Sequence, residues 1–467
     1  MLYCMSIIER HAGKVELIQN SVRGFYAQRK KVRIYHGSTN STRSVTIDRE
    51  NMVDTSNLDE IIEINVQEQY AIVESNVMLD KLAEATLKLG LIPSVVSEFP
   101  GISIGGAVQG GAGESSSFRW GCVHEICTEY EVILANGDVV VTSEDNQPDL
   151  FHGLPCSYGT IGIITRIKLR LVRATQTVQL DYRKVESYDE ALSLISAATK
   201  TSAEFIDAIM FAPNKGVVMV GNFTPDTKQP RKTFHRLTDE WFYIHAEQVV
   251  ANQGSYREAI PIKDYLFRYD RGAFWIGKSG FALYRFPFNR FTRLWLAGLM
   301  KTRTMYRYLH GANLSQQFLI QDICLPQANT HEFLSYLDKN CAIYPLWLCP
   351  LKPDSKSMLA PNYLKTDLVI NVGVWGAFSK EYNNFVDENR KMEAFIATLG
   401  GRKVLYAHTY YSRENFWENY SRRDYEELRA RYQAPTIFPE IYDKVVVTKK
   451  LSPSLIKGWL GLMKSPF

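Results

Sequence analysis

Six glycines fall within the eighteen residues Pro100-Gly101-Ile102-Ser103-Ile104-Gly105-Gly106-Ala107-Val108-Gln109-Gly110-Gly111-Ala112-Gly113-Glu114-Ser115-Ser116-Ser117, and Arg119-Trp120-Gly121 follow at once. Glycine at this density carries an entropic cost that a plain connection rarely needs, and its natural use is close approach of backbone to a large flat ligand. A second segment, His36-Gly37-Ser38-Thr39-Asn40-Ser41-Thr42-Arg43, is small and hydroxylic with no acidic group. Backbone N–H groups in such a loop can point at a phosphate while the hydroxyls add donors, although Gly-Ser-Thr-Asn loops also serve as plain turns. Gly111-Ala112-Gly113 lacks the third glycine and the later acidic residue of a nicotinamide-dinucleotide fingerprint.

The C-terminal half holds a dense set of proton donors: Tyr406, His408, Tyr410, Tyr411, Glu414 and Glu418. A reaction that needs a proton delivered into an apolar pocket would draw it from such a group, and Tyr406, His408, Tyr410 and Glu414 are the candidates for that acid. Tyr344-Pro345-Leu346-Trp347-Leu348-Cys349-Pro350 is rigid and apolar, suited to a substrate wall or to a buried strand. Cys122, His124 and Cys127 leave a zinc site short of a ligand, so no metal is expected and the thiols read as sequestered.

These residues need elements to hold them. Lys31 to Tyr35, Ile61 to Ile64 and Tyr70 to Glu74 read as strands, and Leu79 to Leu89 as a helix ending at Gly90. Tyr130 to Leu134 and Val139 to Thr142, joined through Asn136-Gly137, form a hairpin signal, and Gly159 leads into a buried strand from Ile161 to Ile167. Beyond about residue 175 the texture changes to long segments rich in Tyr, Phe and Trp, with strands expected near 216–221 and 367–374 and helices near 187–199, 233–247, 380–399 and 413–432. The expected organisation is α+β. It comprises a two-subdomain first domain over 1–175 that carries the glycine run, an α+β substrate domain over 176–435, and a C-terminal segment, 436–467, returning to the first domain.

The totals bound the alternatives. A chain of 467 residues, 45% hydrophobic and 22% charged, can build two cores. A net charge of +4 supplies no concentrated basic footprint, so nucleic acid is not expected as a partner. Seven cysteines without framework spacing fit a reducing compartment. No stretch spans a bilayer, and Glu9 and Arg10 interrupt the apolar run in Met1 to Lys14, so a cytoplasmic or peripheral cytosolic-face protein is expected. Between Asp270 and Asp322 there are eight basic residues and no acidic one. On a helical wheel, residues 290–309 separate Phe291, Leu294, Trp295, Leu299, Met305, Tyr306 and Leu309 from Arg290, Arg293, Lys301, Arg303 and Arg307, the pattern of an amphipathic helix that meets a membrane or packs on its own domain.

The loop at 36–43, the glycine run, Glu131 to Gly137, and Asp149-Leu150-Phe151 through Gly159-Thr160-Ile161-Gly162-Ile163 together resemble the vanillyl-alcohol-oxidase-type FAD-binding domain. The resemblance implies that FAD is held by His36, Gly37, Ser38, Thr39, Asn40, Ser41, Ile104, Gly105, Gly106, Gly110, Gly111, Gly113, Glu114, Ser115, Ser116, Gly121, Gly159, Gly162 and Ile163. Thr39 stands where covalently flavinylated members have histidine, which implies non-covalent FAD. Gly113 to Ser117, His124 to Thr128, Tyr344 to Pro350, Leu405-Tyr406-Ala407, Arg413 to Glu418 and Phe438 to Lys444 are further similar to the Δ24-sterol reductases. That family implies reduction of a sterol side-chain alkene with NADPH as transient electron donor. Two departures stand out: the membrane anchor of animal members is missing, and His408 replaces an expected acidic residue. An oxidase of another lipophilic alcohol or lactone using dioxygen, and a flavin- or sterol-binding module without turnover, are the competing readings.

Overall fold

Along Ile163–Arg173 the buried Ile163, Ile167, Leu169 and Leu171 alternate with Arg166, Lys168 and Arg170, the period of a strand with one face in a core. The computed structural model describes residues 6–37, 41–43, 48–225, 229–379 and 381–463, and in it this strand is the middle of a six-stranded antiparallel sheet. With β1 (Arg33–Tyr35) and β2 (Met52–Asp54) forming a separate parallel pair, the sheet comprises β3 (Ile61–Asn65), β4 (Tyr70–Glu74), β5 (Leu91–Pro93), β6 (Cys127–Ile133), β7 (Val139–Ser143) and β8 (Ile163–Arg173). Its order is β3-β4-β8-β6-β7, and β5 also pairs with β8.

The second sheet has eight strands, all antiparallel: β9 (Thr177–Val185), β10 (Phe205–Ala212), β11 (Lys215–Thr224), β12 (Ser255–Pro261), β13 (Phe318–Pro326), β14 (Leu346–Leu351), β15 (Val369–Ala377) and β16 (Arg402–Lys403). The order β12-β9-β11-β10-β14-β15-β13-β16 makes β10 and β14, nearly wholly buried, its centre. The fold is α+β. Six helices bear on function: α1 (Ile7–Ala27), α2 (Leu79–Leu87), α3 (Ile104–Gly110), α4 (Arg290–Trp295), α5 (Thr302–Gly311) and α6 (Leu455–Met463).

The opening helix was not foreseen. Ser6 and Glu9 form a capping box, and His11, Val15, Ile18 and Val22 are buried at helical spacing. They share a core with Ile133, Ile163, Ile437 and Phe438, so residues after 436 pack against the first sheet. His11 sits between Glu74 (2.9 Å) and Glu131 (2.8 Å). Burial disfavours its charge, but the two carboxylates outweigh it and raise the imidazole to about 9.

Three expected helices differ. The 413–432 helix is two, Arg413–Asn419 and Arg422–Arg431, because extended Tyr420 breaks the chain and Ser421 caps the second piece. The 233–247 helix lies later, at Phe242–Gln253. The single amphipathic helix expected over 290–309 is three pieces: α4, a 3-10 turn at Ala297–Met300, and α5. Lys301 between them is extended, and Asp270 starts the new helix by accepting the Thr302 N–H at its carbonyl (3.1 Å) and carboxylate (3.2 Å). The wheel therefore does not hold through the break, and Tyr306 faces inward rather than lying on an outer stripe.

A buried ion cluster joins the two sheets. One Arg268 nitrogen donates to Glu114 Oε1, at the end of the glycine run, and to Asp207 Oδ2 on β10, both at 2.8 Å. The Tyr269 hydroxyl (2.6 Å) and the Trp347 indole (3.0 Å) donate to the same Asp207 oxygen. Burial opposes the guanidinium charge, and the two carboxylates more than compensate. Replacing Asp207 with Ala should lower stability by about 3–5 kcal/mol, the cost of leaving a buried charge half-paired. A urea midpoint within experimental error of the parent would contradict this.

Candidate active site

A cavity of about 1810 Å³ opens between the glycine run and the second sheet. Drug-sized pockets run to roughly 1,000 Å³, so this one has room for a dinucleotide and a second ligand together. One wall comes from the end of β1, residues 101–113 and the start of β8. The facing wall comes from β13, β14 and β15, while α5 and residues 443–452 close a third side.

Of the residues assigned to FAD, His36, Gly37, Ser41, Gly105, Gly106, Gly110, Gly111, Gly113, Gly159, Gly162 and Ile163 line the cavity. The glycines have different physical reasons. A Cβ on Gly105 would sit 2.7 Å from the Ser75 carbonyl, and one on Gly162 would sit 2.7 Å from Val132, so these two permit close packing. Gly110 has nothing within 4 Å of that position, so a side chain there meets open space at the cavity wall. Buried polar atoms facing the same space, His36 Nδ1, Asn76 Oδ1 and Ser97 Oγ, have no hydrogen-bond partner among the described residues. Arg33, Arg43 and Lys444 bring cations to the His36 end. Burial and the two arginines pull Lys444 down to about 7, and burial chiefly lowers Arg43 to about 10. Glycine backbone, unpartnered polar atoms and crowded basic side chains fit the flat ring system and diphosphate of FAD.

Five assigned residues do not line the cavity. Ile104 points into the first core, where its N–H donates to the Val77 carbonyl. Glu114 holds Arg268, Ser115 shares hydrogen bonds with Glu114 and Tyr265, and Ser116 donates to the Ser94 carbonyl (2.9 Å). Gly121 turns with φ +78°, packed against Glu125. Ser38, Thr39 and Asn40 lie outside the described residues, and with them the Thr39 argument for non-covalent flavin.

The opposite end is aromatic. Phe99, Phe274 and Trp375 contact one another with ring centroids 5.0–5.6 Å apart, and Trp347 lies 5.3 Å from Phe274. Tyr306 and Tyr406 complete the wall. Two carboxyls enter this apolar space, and sequence reading identified neither. Glu98, five residues before the helix-capping Ser103, is raised to about 8 by burial, reinforced by the charges of Glu114 and Asp322. Asp322 on β13 is also raised by burial, while it accepts hydrogen bonds from the Tyr406 hydroxyl (2.5 Å) and Asn371 (2.9 Å).

Among the expected acids, Tyr406 and His408 line the cavity, while Tyr410 and Glu414 do not. Burial, then the charges of Lys403 and Arg43, lower His408 to about 3, so its imidazole is neutral and has no acidic proton to give near neutrality. Tyr410 belongs to the core behind the second sheet, beside Phe385. Glu414 is exposed in the first turn of a helix whose buried anchor, Phe416, projects from the other side. The segment 344–350 satisfies both of its readings: β14 is buried throughout, and Trp347 and Leu351 reach the cavity.

Comparison with known proteins agrees with this geometry. A family model described as an FAD binding domain matches residues 10–143. The Delta(24)-sterol reductase of Homo sapiens is 26% identical over 397 residues, 83% of this chain and 76% of that protein. The Delta(24)-sterol reductase homologue of Caenorhabditis elegans is 27% identical over 412 residues, 84% of this chain and 78% of its own length, and the Arabidopsis thaliana Delta(24)-sterol reductase is 26% identical over 430 residues, 84% and 76%. Over most of its length the chain is thus similar to proteins named Delta(24)-sterol reductase, and its first part matches an FAD binding domain. That match makes FAD the cofactor and oxidoreduction the class of chemistry. A Gly110→Leu variant should fold normally yet purify without flavin, because the added side chain enters open cavity rather than packed core. The check is the ratio of flavin absorbance to protein absorbance beside an unchanged circular dichroism spectrum; a fully yellow variant would place the cradle elsewhere.

Proposed function

We propose that the chain uses NADPH to saturate an isolated side-chain alkene of a sterol or related isoprenoid lipid. The observation that carries this is Glu98, a carboxylic acid kept protonated near neutrality in an aromatic-lined cavity shared with the glycine cradle. Reduced FAD bound in the cradle would supply the hydride, recharged by NADPH that visits transiently, held non-covalently as the Thr39 argument implies. Glu98 would give its carboxyl proton to C24 of the alkene, so that the π pair forms the new C–H bond and hydride arrives at C25 as cationic character develops there. Phe99, Trp347 and Trp375 exclude water from that centre, and a hydrocarbon tail leaves none of its own groups unpaired against them. Tyr406, held by Asp322, would orient the substrate instead of acting as the acid.

The same reading supports the division of the chain. Residues 1–175 would carry the cradle, 176–435 the substrate side and 436–467 a C-terminal segment; the packing of Ile437 and Phe438 in the first core supports this, while α6 lies on α5.

The test uses half-reactions under anaerobic conditions. Glu98→Gln should leave NADPH reduction of the flavin intact but slow its reoxidation by a 24-ene sterol by about 10²-fold or more. The sign of the pH effect follows from the proton: Glu98 is mostly neutral below pH 8 and loses the required proton above it. The parent reoxidation rate should therefore be flat below that pH and fall about tenfold per pH unit above it. Reoxidation by dioxygen alone, with every 24-ene sterol unchanged, would move the chain to the oxidase reading; failure of NADPH to bleach the flavin would favour a binding module.

A further inference from the structure

Fourteen large apolar side chains are well exposed among the described residues, and eight of them lie on two short stretches, 286–295 and 455–460. In the first, Phe291 is 83% and Trp295 73% exposed, with Leu294 beside them; in the second, Ile456 is 76% exposed, with Trp459 and Leu460 near 40%. The stretches adjoin. The helix α6 lies on α5 so closely that a Cβ on Gly458 would come 2.6 Å from the Tyr308 ring. The Trp459 ring is 5.8 Å from Tyr308 and 6.0 Å from Tyr284, and two residues on, Phe286 is 6.0 Å from Trp295. The result is one continuous apolar face far larger than scattered surface leucines would give.

Its charge has one sign. Residues 271–321 have eight basic side chains and no acidic one, and after Asp443 the chain has five lysines and no acidic residue. Exposed Arg285, Arg290 and Lys457 fringe the apolar face and form no ion pair among the described residues. The face also touches the cavity, because Arg303, Tyr306 and His310 of α5 and Gly461 of α6 line it.

We infer that this face seats the protein on the surface of an anionic lipid bilayer, with α4 and α6 lying in the interface. Trp and Phe amid cations are the chemistry of such an interface, where rings enter the headgroup boundary and Arg and Lys meet anionic lipid. A second copy of the chain is a poorer occupant, since a like-with-like contact would bring two basic fringes together. No described helix is long and apolar enough to cross a membrane, and attachment by this face needs no span. The inference stands on the surface alone and goes beyond the proposed reaction, while giving a lipid a short path from bilayer to cavity.

The full flavin-loaded chain should sediment with vesicles of phosphatidylcholine and phosphatidylserine in equal parts, and much less with phosphatidylcholine alone or at high salt. Arg290→Glu with Lys457→Glu should weaken binding on the order of tenfold or more. Phe291→Ser with Trp295→Ser should do likewise, all four positions being exposed and the flavin spectrum reporting the fold. Parent protein left in the supernatant with both vesicles, or variants that bind as the parent does, would overturn the inference. So would sedimentation velocity showing a vesicle-independent dimer that Trp295→Ser dissociates, which would assign the face to a second copy. Turnover enters none of these readouts, so the proposed reaction can fail while the docking face holds, and the reverse.

Discussion

A guanidinium buried with two carboxylates is tolerable only if every partner is in place, and Arg268 has Glu114 and Asp207 at 2.8 Å each. Glu114 ends the glycine run and Asp207 belongs to the second sheet, so satisfying this one charge fixes how the cradle faces the aromatic wall. The indole of Trp347 binds the same Asp207 oxygen, which makes a wall residue part of the same constraint. Residues 233 positions apart in sequence, from Glu114 to Trp347 through Arg268, close on a single polar point that would otherwise be desolvated without return.

The cavity built around that point treats its ionisable groups consistently. Removal from water favours neutral forms, and the structure adds like charges where that tendency is to be strengthened. Glu98 shares its space with other carboxylates and keeps its proton; His408 and Lys444 lie near cations and are pushed towards losing theirs. One end of the cavity is thus prepared to donate a proton and the other to receive a polyanion. An aromatic lining between them supplies the low polarity on which both effects depend.

The same economy of elements appears at the surface. The helix α5 turns Tyr306 towards the cavity and packs its other side on α6, whose outer side chains remain in solvent. The break at Lys301 is what allows this, because a continuous helix from 290 to 309 could not expose Phe291 and Trp295 while also burying Tyr306.

The sequence by itself determined the α+β class, the hairpin at Asn136-Gly137 and the glycine-rich approach to FAD, because these rest on local costs: a left-handed turn, a period of two, backbone left bare. It also marked Tyr406 and Trp347 as residues of interest. Tertiary structure alone decided which groups carry charge. Glu98 in the sequence is one glutamate among many, and only enclosure in a cavity lined by Phe99, Trp347 and Trp375, the last 277 positions away, takes it out of water. Glu114 and Ser115, adjacent to the glycines, read as ligands of the cofactor, but in the fold Glu114 holds Arg268 and Ser115 meets Glu114 and Tyr265. Glu414 matched the chemistry required and lies in solvent, since a helical face is assigned by what packs on it. Residue type sets what a group can do, but desolvation and neighbouring charge set whether it does, and both are sums over contacts distant in sequence.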